Sequence, residues 1–269
     1  MGLDELPFAP GKRSRLANLG CGSRYHFAWD NYDLSPHSAC VARLNISRPL
    51  PIKDETYQVV YCSHVLEHLP RSYAPEFLKD VLRILKPGGI LRVVVPDLGE
   101  IARLYIANLD AALSGDSCAR LRHEWMTLEL LDQMTRSFPG GFMGRLWRSR
   151  PLPARDFIEM RVGQEATDNL DQIDKSIDCG KKSLRPDEVY RLESPRPGEE
   201  LLFRSTGEIH RWMYDRLSLK HLLEDVGFID VRTCGASESS IANFATYELD
   251  TDKDGLIRKP DSLFMEANK

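Results

Sequence analysis

The sequence contains no long apolar run, and its charge is not concentrated in one sign. No stretch approaches the roughly 20 apolar residues that a membrane-spanning helix needs. The 36 Lys and Arg residues are balanced by 40 Asp and Glu residues, for a formal net charge of -4. That balance provides no basic surface for a phosphate backbone. These absences disfavour a transmembrane protein and a nucleic-acid-binding protein, and they favour a small-molecule ligand.

The chain also lacks a CxxC pair and an apolar leader. Its six cysteines are widely spaced, which disfavours a zinc ribbon or a dithiol redox centre and predicts reduced structural thiols. The first 15 residues, MGLDELPFAPGKRSR, carry acidic residues and two prolines where a signal peptide requires an apolar core. We therefore expect a cytoplasmic protein.

What the sequence does contain is a regular alternation of short apolar strands and amphipathic helices. With 269 residues, 42% of them hydrophobic, the chain can bury a substantial core. Strands are predicted at 15–19, 31–34, 40–46, 57–62 and 90–95, and a helix at 73–85 that Lys86-Pro87-Gly88-Gly89 ends. This alternation predicts a parallel, doubly wound sheet with helices on both faces.

The alternation stops between residues 99 and 206. Two long helices are predicted at 98–113 and 121–134, followed by Gly140-Gly141 and by basic, acidic and Pro-rich pieces. A helix at 217–226 and strands at 229–234 and 262–267 then restore the α/β pattern. We therefore predict one α/β domain from residues 1–98 and 207–269, and a mainly helical insertion at 99–206 that serves as an acceptor-binding cap or lid.

A glycine-rich loop follows the first predicted strand. Gly20 and Gly22 flank Cys21, and the missing side chains let backbone N–H groups approach a ligand closely. Tyr25 stands where a dinucleotide fingerprint has its third glycine, which disfavours a pyrophosphate ligand. Asp33 ends the next strand, where a carboxylate can accept both hydroxyls of a ribose. The alternative interpretations are a plain tight turn for the glycines and a turn cap for Asp33.

Several segments in the same order, LANLGCGS, NYDLSP, RPLPIKDETYQVVYCSHVLEHLP, FLKDVLRILKPGGILRVVVPD and HRWMYDRLSLKHLLEDVGF, resemble the class I S-adenosylmethionine-dependent methyltransferases, specifically the type 11 methyltransferase domain. The resemblance covers roughly residues 14–98 and 208–234. It implies a Rossmann-like α/β fold, with a mostly parallel seven-stranded sheet and an antiparallel last strand. It also implies S-adenosylmethionine as methyl donor and S-adenosylhomocysteine as product, and it is loosely associated with polysaccharide biosynthesis.

The resemblance also implies a set of cofactor-binding residues. Gly20, Cys21 and Gly22 would lie under the methionine and ribose, and Asp33 would bind the ribose. Asn18 and Asn45 stand where many relatives have acidic residues, which would face the cofactor's amino group and the adenine. Ser63 and His64 would line the pocket near the methionine. The complete predicted set is Asn18, Gly20, Cys21, Gly22, Asp33, Asn45, Ser63 and His64.

Two motifs resemble metal sites. His64, Glu67 and His68 have the H-x-x-E-H order of one class of zinc proteases, but a strand precedes them and Pro70 shortens any helix that would hold the metal. We expect no metal, and we expect Glu67 or His68 to face the acceptor or to order the loop. Residues 250–261 fit much of an EF-hand pattern, but a proline and a strand replace the exiting helix. A hydrophilic turn is the preferred interpretation, with calcium as the alternative.

Candidates for the acceptor side follow the predicted cofactor residues in sequence. His210, Tyr214 and His68 are the predicted catalytic residues, since a hydroxyl acceptor needs a proton acceptor whereas a nitrogen or carbon acceptor need not. Alternatively, His210 caps the next helix and Tyr214 packs into the core.

Four arginines surround Trp147 in the insertion, namely Arg145, Arg148, Arg150 and Arg155. They suggest a mobile lid for an anionic acceptor such as a phosphorylated sugar, with a solvated charged face as the alternative. The overall prediction is O-methylation of a small hydroxylated acceptor, such as a glycan precursor or sugar nucleotide. An inactive scaffold of the same fold and a nicotinamide-dependent oxidoreductase are the alternatives, and the oligomeric state stays open.

Overall fold

The computed structural model describes residues 15–191 and 198–269. The segment before residue 15, on which the cytoplasmic prediction partly rests, lies outside these ranges. The described chain forms two compact units. The first contains the described residues up to Pro96, Trp212–Ile257 and Ser262–Lys269, and the second contains Asp97–Arg211 and Arg258–Asp261.

The first unit is built on a seven-stranded sheet in the order β3-β2-β1-β4-β5-β7-β6. Parallel pairing joins β3, β2, β1, β4 and β5, while β7 is antiparallel to both of its neighbours, β5 and β6. The predicted mostly parallel sheet with an antiparallel last strand is therefore confirmed. The strands are β1 Leu16–Leu19, β2 Asp30–Asp33, β3 Val41–Arg43, β4 Tyr57–Ser63, β5 Leu85–Pro96, β6 Ile229–Cys234 and β7 Ser262–Asn268.

Eight α-helices accompany the strands in the described ranges. They are α1 Ala74–Ile84, α2 Leu98–Leu113, α3 Ser117–Thr135, α4 Gly141–Trp147, α5 Arg155–Val162, α6 Gln164–Asp178, α7 Glu199–Arg204 and α8 Arg216–Val226. None of these helices combines the length and the apolar character that crossing a membrane requires.

The main core lies between the sheet and helices α1 and α8. Helix α1 buries Phe77, Leu78 and Val81 at helical spacing, and α8 buries Leu219 and Leu223. Burial of whole apolar side chains of this size contributes roughly 1.5–3 kcal/mol each. The core therefore fixes the strand ends above which a ligand of the first unit would bind.

Strand β5 begins earlier than the sequence predicts. Helix α1 ends at Ile84, and Leu85 already pairs with Tyr57 of β4. Lys86-Pro87-Gly88-Gly89 was predicted as a helix stop, but it lies within β5, where the register between β4 and β5 shifts. Gly88 has a φ of 72°, as expected for a glycine at a bulge. Strand β3 is also shorter than predicted, ending at Arg43 rather than at residue 46.

The second unit is mainly helical. Helices α2 and α3 pack on each other, and Asp97 and Asp116 cap their N-termini by accepting backbone N–H groups. Glu129 of α3 forms a buried ion pair of 2.7 Å with Arg161 of α5. Burial holds the pKa of Glu129 above its usual value despite the arginine.

Asp250, the first acidic residue of the EF-hand-like segment, is part of a buried charge network in the first unit. Its Oδ2 accepts from Arg92 Nε at 2.7 Å and its Oδ1 accepts from Tyr61 Oη at 2.6 Å. Arg92 is fully buried and also pairs with Glu266 at 2.8 Å. Strand β7 follows the segment where an EF-hand has a helix. The calcium alternative is therefore wrong for Asp250, whose carboxylate is committed to the sheet.

Candidate cofactor site

The loop after β1 is held against the end of β2. The backbone N–H groups of Gly20 and Cys21 both donate to the carbonyl oxygen of Tyr32, at 2.8 and 3.0 Å. Gly20 and Gly22 have φ values of 71° and 52°, which are in the left-handed region that favours glycine. A Cβ on Gly20 would lie 2.4 Å from Val65 Cγ2, so this position has no room for a side chain.

Asp33 lies beside this loop at the carboxyl end of β2. Its Oδ2 accepts the Gly22 N–H at 2.8 Å, and its Oδ1 accepts the Ser35 N–H at 2.9 Å. The carboxylate is partly exposed, and each oxygen keeps a further lone pair for a ligand. A Cβ on Gly22 would meet no atom within 4 Å. Asp33 thus caps a turn, as the alternative interpretation expected, and it also borders open space above the loop.

Asn18 and Cys21 are buried beneath the loop. The Asn18 side-chain amide donates to the carbonyl of Arg24 at 3.1 Å and to Asn31 Oδ1 at 3.3 Å. Its own Oδ1 is buried and has no hydrogen-bond partner among the described residues. Burial raises the pKa of the Cys21 thiol to about 12, and the charge of Asp33 adds to this shift. Cys21 therefore offers a ligand its backbone rather than its thiol. The Asn18 side-chain oxygen can accept a hydrogen bond from a ligand.

Asn45 is exposed just beyond β3, the strand that pairs with β2. Its Oδ1 accepts the Ser47 N–H at 2.9 Å, and Leu44 N–H donates to the carbonyl of Asp33 at 2.8 Å. The second lone pair of the amide oxygen can still accept the bond from adenine that the sequence predicts.

Ser63 and His64 follow at the end of β4. Ser63 is the last residue of the strand, and His64 has a φ of 53°, which is uncommon outside glycine. The His64 N–H donates to the carbonyl of Val94 in β5 at 2.9 Å. The next residues form a short 3₁₀ helix at Leu66–His68. Because His64 precedes that turn with a left-handed backbone, His64 and His68 do not share an α-helical face as the zinc-protease motif requires.

The His64 ring contacts one side chain of its own motif and one that the sequence did not indicate. Its Nδ1 lies 3.2 Å from Glu67 Oε1, and its Nε2 lies 2.9 Å from Ser262 Oγ. Glu67 is completely buried, and its charge together with burial raises the pKa of the Cys62 thiol to about 12. Ser262 is 198 positions from His64 in sequence, so no local pattern could have indicated it.

Tyr214 lies in the core of the first unit and is 2% exposed. Its hydroxyl has no hydrogen-bond partner among the described residues. Burial raises the pKa of Tyr214 to about 12, and the charge of Glu67 contributes to the rise. The phenol therefore stays protonated at neutral pH. A groove of about 430 Å³ lies beside it, bordered by the stacked pair of Arg71 and Trp212 and by His221 of α8.

The alternative interpretation of His210, as a cap of the next helix, is wrong. Helix α8 begins with Asp215 at the N-cap, whose side chain accepts the N–H groups of Leu217 and Ser218. His210 belongs to the second unit, where it is buried and its backbone N–H donates to the carbonyl of Gln133 at 3.0 Å.

Three of the four arginines around Trp147 are engaged within the second unit. Arg145 donates to the carbonyls of Glu188, Val189 and Arg191, and Arg150 and Arg155 both pair with Asp174. Arg148 is exposed. This arrangement matches the alternative interpretation of a structural charged face better than an anion-binding lid.

The backbone at Gly140-Gly141, which precedes these arginines, is also held by side chains. The Gly140 N–H donates to Glu208 Oε1 at 2.8 Å, and the Phe142 N–H donates to Asp132 Oδ1 at 2.8 Å.

Comparison with known proteins finds a family match for the segment that carries this site. Residues 18–93 match the type 11 family described as a methyltransferase domain. This segment is similar to a methyltransferase domain. The match includes the glycine loop, Asp33, Asn45 and the end of β4.

Two kinds of relative accompany the family match. Over 90 residues the chain is 32% identical to "Probable methyltransferase ltbC" of Aspergillus luteorubrus. That alignment covers 30% of this chain and 32% of the relative, so the chain matches about a third of that protein's length.

Among solved structures, an S-adenosylmethionine-dependent methyltransferase from Archaeoglobus fulgidus is 13% identical with a TM-score of 0.38, covering 98% of this chain and 89% of that chain. One from Mesorhizobium loti is 15% identical with a TM-score of 0.36, covering 97% and 94%. The fold assignment therefore rests on the strand order itself.

The residues around the loop fit S-adenosylmethionine. The carboxylate of Asp33 is a suitable acceptor for ribose hydroxyls, the buried Asn18 oxygen lacks a donor among the described residues, and Gly22 leaves the space above the loop open. These features lie at the carboxyl ends of β1 and β2, which is where ligands bind in open α/β sheets.

Proposed function

We propose that this chain transfers a methyl group from S-adenosylmethionine to the hydroxyl of a small acceptor, such as a glycan precursor or a sugar nucleotide. The observation that carries the proposal is the hydrogen bond between the Gly22 N–H and the Asp33 carboxylate, within a methyltransferase domain. That bond joins the glycine loop to a carboxylate that can accept hydrogen bonds from ribose hydroxyls, at one edge of a parallel sheet.

Methyl transfer of this kind mainly requires that the protein align the acceptor with the methyl group. When bound, the cofactor supplies an electrophilic methyl group on a sulfonium. Gly20 and Gly22 keep the loop close to β2, Asp33 accepts the ribose hydroxyls, and Ser63 and His64 border the methionine end. Holding the acceptor oxygen in line with the methyl group supplies much of the rate, because it replaces a bimolecular encounter by a positioned one.

A hydroxyl acceptor must also lose its proton. The sequence nominates His68, His210 and Tyr214 for this step, and these assignments remain proposals. The raised pKa of Tyr214 favours a role as hydrogen-bond donor over a role as base. Acceptor binding by the helical unit, a part in polysaccharide biosynthesis and a cytoplasmic location are likewise proposals from the sequence.

Calorimetric titration tests the cofactor assignment. We expect the wild-type chain to bind S-adenosylhomocysteine but not NAD. Asp33→Ala should weaken S-adenosylhomocysteine roughly 10- to 100-fold, because hydrogen bonds to a charged group contribute about 1.5–3 kcal/mol. Asp225→Ala, which removes an exposed carboxylate of α8, is the matched control and should bind as the wild type does.

The same titration separates the rival functions. Binding of NAD in place of S-adenosylhomocysteine would support the oxidoreductase. Binding of S-adenosylhomocysteine without any product 14 daltons heavier than its acceptor, when cell extracts with and without the protein are compared by mass spectrometry, would support the inactive scaffold. An unchanged affinity in Asp33→Ala would refute the ribose role of Asp33.

A further inference from the structure

Ser262, His64 and Glu67 form a continuous line of side-chain contacts in the first unit. The Ser262 Oγ lies 2.9 Å from His64 Nε2, and the His64 Nδ1 lies 3.2 Å from Glu67 Oε1. A hydroxyl, an imidazole and a carboxylate in this order are the arrangement by which proteins make a histidine accept a proton from a hydroxyl.

These three side chains lie at the edge of the sheet where the methyl donor would bind. Strand β5 separates β4 from β7, and Ser262 pairs with Pro96 at the carboxyl end of β5. The His64 ring therefore reaches over the end of β5 to join two strands that are not neighbours. The strands that carry the glycine loop and Asp33 end at the same edge.

The partners of the ring determine which nitrogen carries its proton. The 3.2 Å separation of Nδ1 and Glu67 Oε1 is an ion-pair contact, and an ionised carboxylate beside Nδ1 favours the neutral ring that carries its proton on that nitrogen. Nε2 is then an acceptor that faces the Ser262 hydroxyl. The Glu67 carboxylate is fully buried and the His64 side chain is 16% exposed, so the pair is held in place and still reachable.

The backbone of His64 also suggests more than a structural role. A φ of 53° in a non-glycine residue costs free energy, and such conformations persist where the surroundings enforce them. Asp250 is a second carboxylate that interacts with His64, but it is bonded to Arg92 and Tyr61. Glu67 is therefore the carboxylate that orients the ring.

We propose that His64 Nε2 is the proton acceptor for the hydroxyl that is methylated, with Ser262 Oγ as the relay and Glu67 as a positioning residue. This inference rests on the proposed function, and it assigns to His64 the step for which the sequence nominated His68 and His210.

The step is balanced without any further reactant. The acceptor oxygen forms a bond to the methyl carbon, and the carbon–sulfur bond breaks with its electron pair remaining on sulfur. The acceptor proton passes to Ser262 Oγ as the Ser262 proton passes to His64 Nε2. The products are a methyl ether, S-adenosylhomocysteine and an imidazolium that Glu67 stabilises.

Nitrogen-15 NMR of the histidine rings tests the relay directly, since the two nitrogens of a neutral imidazole differ in chemical shift. His64→Asn identifies the His64 signals, and asparagine tolerates the left-handed backbone at this position. We expect the wild-type ring to be protonated on Nδ1, with Nε2 as the free acceptor. A wild-type ring protonated on Nε2 would overturn the proposal, because that nitrogen could not accept a proton.

Variants of the two partners make the test sharper. Glu67→Met removes the acceptor for Nδ1, so the neutral ring should change from mainly Nδ1–H to mainly Nε2–H. Ser262→Ala should leave the ring protonated on Nδ1, and His221→Gln, on the exposed face of α8, should change nothing. A ring whose tautomer is the same in Glu67→Met as in wild type would contradict the positioning role of Glu67. If that variant does not fold, the wild-type tautomer and Ser262→Ala still decide.

Addition of S-adenosylhomocysteine separates the relay from the proposed function. We expect it to bind and to shift the His64 Nε2 resonance, because the ring borders the cofactor. Binding with no change at His64 would overturn the relay while leaving the methyltransferase assignment intact. Failure of S-adenosylhomocysteine to bind would instead remove the proposed function, and the relay with it.

Discussion

Gly20 and Gly22 share a left-handed backbone but differ in what surrounds them. An alanine at either position pays a conformational cost of about 1–2 kcal/mol. At Gly20 the new methyl group would also overlap Val65, which adds about 1–3 kcal/mol of overpacking. We expect urea denaturation to show a larger loss of stability for Gly20→Ala than for Gly22→Ala.

A second substitution identifies the cause of the difference. Val65→Ala removes the methyl group that the Gly20→Ala side chain would meet, so the double variant should lose less stability than the sum of the two single changes. Equal losses of stability in Gly20→Ala and Gly22→Ala would show that the contact with Val65 does not limit the side chain at position 20.

At the residue scale, the sequence predicts the contacts that are local and misses those that are distant. Gly22 and Asp33 are 11 positions apart, and adjacent parallel strands bring their ends together, so their proximity follows from the pattern. The bond between His64 and Ser262 depends on where β7 enters the sheet. No periodicity encodes that position.

At the element scale, the start of α8 depends on one aspartate. Asp215 accepts the N–H groups of Leu217 and Ser218, and these bonds, led by the one from Ser218, hold its pKa below the usual value. Asp215→Ala should cost about 0.5–2 kcal/mol of stability at neutral pH. Because the folded pKa is the lower one, this contribution is present above the ordinary value of 3.8 and is lost as the pH falls through the folded pKa.

Asp215→Asn is the matched control for the charge. Asparagine keeps an oxygen that can cap the helix, so the stability at neutral pH should stay within a few tenths of a kcal/mol, roughly as N-cap preferences indicate. The part of the stability that Asp215 loses in acid should be absent from this variant. Denaturation curves between about pH 2 and 7 measure it. An acid dependence that persists in Asp215→Asn would assign it to other carboxylates.

Elements with a strong period are predicted well, and elements with mixed signals are not. The apolar spacing of α1 and α8 placed both helices to within a residue or two. Pro87 and Gly88 usually interrupt regular structure, so the sequence predicted only the end of a helix where the structure also begins a bulged strand. The bulge is compatible with both residues because it needs a positive φ at Gly88 and little ladder pairing.

At the scale of the whole molecule, we expect cofactor binding to slow hydrogen exchange in the first unit alone. Hydrogen exchange with and without S-adenosylhomocysteine should show slower exchange in the loop after β1, in the turn after Asp33 and at the end of β4. Bound ligand stabilises the segments that it contacts against local opening. Helices α2 and α3 of the second unit should exchange at unchanged rates. Equal protection of α2 and α3 would contradict a cofactor site built from the first unit.

The domain boundaries predicted from the sequence, at residues 98 and 207, stay predictions. In the structure the first compact unit is interrupted after Pro96. The sequence did not predict that Arg258–Asp261 return to the helical unit, where Lys259 pairs with Glu165 at 2.7 Å and the Arg258 carbonyl accepts the Gln164 N–H. A segment of this length is too short to show a hydrophobic periodicity that the sequence analysis could use.

The position of β7 has a consequence for how the sheet assembles. Among the described strands it is the last in sequence, yet it lies between β5 and β6. Strand β6 is synthesised before β7, its single neighbour in the described sheet, so until then its backbone N–H and C=O groups are those of an unpaired edge strand. During synthesis the five parallel strands can assemble as an early nucleus, while the far end of the sheet depends on a late insertion. A growing chain is therefore most exposed to misassembly in the interval between these two strands.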